Sequence, residues 1–137
     1  MIREIKHGGE LIAIIITHDH DQDGLNFVTD KALTLQMGYM KYPADHRIPA
    51  HVHHPVERHT FLTLEAVIVK SGRILVDLYT KNQQHITDVE LVTLDAILFV
   101  SGGHGFKFLE VGELLEIKQG PSVPPDQDKV KFVAARD

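Results

Sequence analysis

The chain has 137 residues and a formal net charge of −5, from 14 Lys and Arg against 19 Asp and Glu. Its hydrophobic (43%) and charged (24%) fractions are globular values, and a chain this long can bury its own core, which excludes general disorder. It has no cysteine, which excludes disulfides, cysteine zinc fingers and thiol chemistry, and its acidic balance does not suit the phosphates of a nucleic acid.

The N-terminal MIREIKHGGE lacks the apolar core of a signal peptide, so the cytoplasm is the expected compartment. The longest apolar run, Leu11 to Ile16, is far shorter than the roughly 18 residues of a membrane span. Helical periodicity is absent. Short β-branched runs recur instead, over residues 11–17, 26–29, 33–41, 50–54, 60–70, 73–79, 88–93, 97–100 and 113–119, many bounded by Gly, Pro, Asn or Asp. Ser71-Gly72 predicts a hairpin between residues 66–70 and 73–79, because glycine tolerates the positive φ of a tight turn. Pro121, Pro124 and Pro125 mark an extended tail before a last possible strand at residues 130–133. So many strands in one domain predict an all-β fold, closed as a barrel or sandwich to limit sheet edges.

After the first run and enclosing the second, DHDQDGLNFVTD (residues 19–30) follows the spacing of a calcium-binding EF-hand loop, with Asp30 replacing the final Glu. Its flanks read as strands, not helices, so an acidic hairpin tip is expected, with His18 and His20 facing solvent there.

Ten histidines stand out, five of them between His46 and His59. In PAHVHH, His51 and His53 lie two residues apart, so on a strand they point to the same face. Neutral imidazole is the commonest metal ligand among side chains, although the same pair also suits a solvated edge strand. A carboxylate can come from Glu57 or Glu65. Glu65 sits inside the apolar run TFLTLEAVIV, where a charge needs a partner, and a metal is one. Glu57 lies in a loop beside Arg58 and His59 and is easily solvated, so Glu65 is preferred. Arg58 and His59 suit the rim of a site, where the arginine can meet a ligand carboxylate or phosphate, or simply pair with Glu57. A further histidine, His104, lies in the glycine-rich VSGGHGF, a tight turn or bulge where the backbone approaches something closely.

Together these segments resemble the cupin superfamily of small β-barrels. The first cupin motif corresponds to His51-Val52-His53, Glu65 and, six residues later, Gly72; the second corresponds to Asp95, SGG and His104. Glu57 stands at the shorter His-to-Glu spacing that the motif usually has. The resemblance covers about residues 38–118 and implies a double-stranded β-helix, or jelly-roll barrel. The whole chain, residues 1–137, is then one domain, with residues 10–37 and the tail 119–137 packed on the barrel. It further implies one divalent metal ion (Fe, Mn, Ni or Zn) held by His51, His53, Glu65 and His104, with open positions for a small polar metabolite. Oxygenase or isomerase chemistry follows from that set. The alternatives are a non-catalytic cupin that binds a sugar or metabolite, and a metal-free sugar isomerase using His51 or His53 as base. Cupins of this size resemble homodimers.

Overall fold

A computed structural model describes residues 1–134; the last three residues of the expected tail, 135–137, lie outside the described residues. The strands are β1 (Ile2–His7), β2 (Glu10–Ile16), β3 (Gly24–Phe27), β4 (Gly38–Lys41), β5 (Glu65–Ser71), β6 (Arg73–Tyr79), β7 (His85–Val92), β8 (Ala96–Phe99), β9 (Gly103–Phe108) and β10 (Glu113–Lys118). One helical turn, α1 (Pro125–Asp128), follows Pro124. The all-β expectation holds, in three antiparallel sheets: β1-β2-β8-β5-β10, β7-β6-β9 and the hairpin β3-β4. No helix among the described residues is long and apolar enough to cross a membrane.

The two larger sheets share one apolar core. Alternation dictates it: Val67 and Val69 of β5 and Ile97 and Phe99 of β8 meet Ile74, Val76 and Leu78 of β6 and Val89 and Leu91 of β7. Each such side chain contributes about 1.5–3 kcal/mol when fully withdrawn from water. The other face of the five-stranded sheet is covered in part, where Leu33, Leu35 and Met37 pack on Leu64, Ala66 and Leu98.

Several expectations are corrected. Residues 66–70 and 73–79 do form strands, but β5 and β6 belong to different sheets and are not hydrogen-bonded as a hairpin. Both strands have an apolar face to bury, so folding β6 over β5 across the core buries both at once. Gly72 makes the corner at φ 86°, and a Cβ there would lie 2.7 Å from the Val111 carbonyl oxygen, so no other residue fits without a shift. Residues 33–41 yield only β4, with the first part spent on covering the sheet. Residues 50–54 form no strand. They belong to an arm, residues 40–63, that is exposed throughout, and Pro43, Pro49 and Pro55 remove the donors a ladder needs. Residues 130–133 are not a strand either, while β1 and β9 are strands that the sequence patterns did not predict. No strand pairing closes the two sheets into a barrel among the described residues.

Candidate functional site

Glu65 is the first residue of β5, and its Cα partner on β8 is Phe99. It shares a face with Val67 and Val69, so the strand's alternation turns its carboxylate toward the space between the sheets. From the other sheet comes His104, the second residue of β9, opposite Leu78 of β6. GHGF therefore runs as a strand, not as a bulge, with its two bulky side chains on the core side. The His104 ring stacks on Phe99, with centroids 3.8 Å apart and planes 11° apart, and Phe106 meets it edge-on at 5.4 Å. Nε2 of His104 then lies 3.4 Å from Oε1 of Glu65, with the side chains 25% and 12% exposed. At that separation the two groups face each other at a distance longer than a good hydrogen bond. An acid and an imidazole thus converge at one end of an apolar core, where each needs the other or a shared ion.

His51 and His53 are placed elsewhere. Both lie in the exposed arm, their rings edge-to-face with centroids 5.2 Å apart, and Nδ1 of His51 is 3.0 Å from the Pro49 carbonyl. Among the described residues no three histidine or carboxylate side chains come together as a metal cage. The expected quartet is thus divided into two pairs, Glu65 with His104 and His51 with His53. Glu57 joins neither: it pairs with His59 at 3.2 Å. Arg58 donates to the Val56 carbonyl at 3.3 Å rather than to Glu57, and with Lys31 and His59 it lines a cavity of about 450 Å³. Tyr42 stacks on His46 at 4.0 Å, while Phe61 is 99% exposed.

The acidic segment, residues 19–30, is not a hairpin tip: it runs on from β2 through β3, and those two strands belong to different sheets. Its carboxylates are taken up by different partners, not by one shared point. Asp19 accepts from the N-terminal ammonium at 2.8 Å and from the Thr17 hydroxyl, which hold its carboxyl down at about 2. Lys41 meets Asp21 and, at 3.6 Å, Asp23, and the hydrogen bond to Asp21 raises its ammonium's pKa. Asp30 accepts from the Ala32 amide at 2.7 Å.

Of the two histidines there, His18 is exposed as expected and His20 is half-buried. His20 packs edge-on against Tyr39 at 4.6 Å, and His18 is held by Asp95 through Nδ1 at 2.9 Å. Sequence patterns miss this pairing because the partners are 77 residues apart. The available clue is Asp95 itself, an acid directly before the apolar run AILFV that must find donors if buried. Comparison of the chain with protein-family models, with curated proteins and with solved structures gives no match.

Proposed function

We propose that the chain is a cupin-like protein that binds one divalent metal ion, with Glu65 and His104 as the fixed half of the site. His51 and His53 would complete it from the arm. The single observation that carries this reading is the Glu65–His104 contact, an acid and an imidazole facing each other between two sheets. Support for a jelly roll comes from the eight strands of the two larger sheets, all antiparallel around one core. Support for completion by the arm comes from β9, which among the described residues pairs with no strand but β6. An edge without a ladder partner is a template for an extended segment such as residues 50–54.

Nitrogen and oxygen ligands suit Fe, Mn, Ni or Zn, and such an ion, when bound, polarises a substrate oxygen and leaves positions open beside it. The chain's own residues set the rest. Glu65 fixes the plane of the His104 ring, Phe99 and Phe106 keep one side of it dry, and a small polar metabolite fits better than a large apolar one. Without a metal, the histidine suited to act as base is His104, because Glu65 can hold a proton on its Nε2 side. The binding-module reading keeps the same residues without chemistry. The outward apolar residues of the arm, Val52, Val56 and Phe61, suit contact with a second copy, so a cytoplasmic homodimer belongs to the proposal.

Metal analysis of the purified protein tests it. Stoichiometric metal is expected in the parent protein and in Glu57→Gln. Glu65→Gln, His104→Ala and the double variant His51→Ala/His53→Ala should each weaken retention about tenfold or more. Amide exchange should slow at residues 50–54 and 103–108 together when zinc is added. Folded protein that takes up no divalent metal, or a Glu65→Gln/His104→Ala variant that binds it unchanged, overturns the reading.

A further inference from the structure

The outer face of the five-stranded sheet carries a cavity of about 520 Å³, away from the Glu65–His104 contact. Its floor is built by register. Ile16 of β2, Ala96 of β8, Ala66 and Ile68 of β5 and Ile117 of β10 lie on cross-strand partner positions of that face. The two alanines sit among isoleucines, so the sheet surface is hollow where they stand. Leu35 and Met37, which cover the neighbouring part of the sheet, form one wall.

One polar group at the rim is held with unusual care. Asp95 is 4% exposed and accepts three hydrogen bonds, from the His18 amide (2.7 Å), from Nδ1 of His18 (2.9 Å) and from the Val92 amide (2.9 Å). A buried carboxylate on Nδ1 fixes the orientation of the imidazole and, in its neutral form, the tautomer, with the proton on Nδ1 and a lone pair on Nε2. The other polar lining side chains are differently placed: Gln36 is spent on Thr29, Asp30 and Leu33, Thr17 on the N-terminus, and the Tyr39 ring meets His20 edge-on. Beside His18, Leu94 keeps a left-handed backbone (φ 72°) with its side chain 68% exposed at the rim. A leucine pays for that conformation without burying its side chain, the kind of local strain found at ligand sites.

We propose that this cavity is a second binding site, which takes a flat, mostly apolar small molecule bearing one hydroxyl, donated to Nε2 of His18. The sheet floor supplies the affinity by burial, and the Asp95-oriented imidazole supplies the discrimination. His18 and Asp95 are positioned by β2 and by the β7–β8 turn, so the site exists whether or not a metal is bound between the sheets.

The test compares 2-naphthol with naphthalene, by titration followed in amide and methyl NMR spectra. Saturable binding of 2-naphthol is expected, with shifts at Ala66, Ala96 and Ile117, and naphthalene should bind about tenfold more weakly. His18→Ala should weaken 2-naphthol by about that factor and leave naphthalene unchanged, while Ala96→Leu should weaken both by filling the hollow. Thermal unfolding checks that each variant folds. An unfolded His18→Ala is replaced by His18→Phe, for which the same split is expected. Equal affinity for the two probes, an equal loss of both in the His18 variant, or shifts confined to other residues overturns the proposal.

Discussion

Residues 65–79 and residues 50–63 both carry Val, Leu or Phe at short spacing, yet their environments differ completely. Val67, Val69, Ile74, Val76 and Leu78 are 1% exposed or less, whereas Val52 is 85%, Val56 60% and Phe61 99% exposed. Hydrophobic content therefore does not decide which segment is built into the core. The first segment alternates without a break and turns once at Gly72, so both of its strands present an apolar face to the same space. The arm has Pro49 and Pro55 on either side of its histidines and charged Glu57 and Arg58 soon after, so neither face is apolar for long. Ordering it costs about 1–2 kcal/mol of backbone entropy per residue, which scattered valines do not offset. What the arm offers instead is reach: it carries His51 and His53, and beyond β4 its residues 42–63 belong to no strand.

The contrast can be broken most forcefully in the core. Ile97→Ala, at a fully buried position, should cost about 2–5 kcal/mol, while Val52→Ala in the arm should stay within about 0.5 kcal/mol. Urea unfolding measures both, and a Val52→Ala loss comparable to that of Ile97→Ala would mean that the arm is packed. Next in size, Gly72→Ala should destabilise by about 2 kcal/mol, because the corner combines a positive φ with a 2.7 Å approach to Val111. Ala50→Gly, a backbone change of opposite sense in the exposed arm, should move the unfolding midpoint by only a few tenths of that, about 0.5 kcal/mol at most.

The smallest effect is expected at the edge of the five-stranded sheet, where the N-terminal ammonium clasps Asp19. Asp19 titrates at about 2 in the folded protein against an ordinary 3.8, so its contribution is present above that ordinary value and is lost as pH falls from there toward 2. The pair is exposed, so solvent screens it and the effect should be slight. Thermal midpoints of the parent and Asp19→Asn should converge over that acid range and differ above it. A constant difference at all pH values would remove the clasp from the account.

Much of the fold was legible because it rests on local rules. Residues 73–79 became β6 without adjustment, residues 11–17 and 113–119 shifted by about one residue, and the inward aim of Glu65 followed from the alternation of its run. The missed elements have physical reasons. β1 (Ile2–His7) is polar on most positions and forms because β2 offers it an edge, and β9 looks like a turn in sequence because glycine usually marks one. The divided quartet shows the same limit at the site. His104 and Glu65 are brought together by Phe99, which partners one in the ladder and stacks on the other, and no spacing rule encodes that contact.

The sequence by itself determined the all-β class, the places where most strands run, and the residue types available for chemistry, since these depend on period, branching and side-chain identity. The tertiary structure alone decided that β5 and β6 face each other across a core, that Glu65 meets His104 away from His51 and His53, and that His18 is locked to a buried Asp95. Each of these joins residues distant in the chain or reverses a local preference. Such choices are made by which apolar faces must be buried together, and that is a property of the packed molecule.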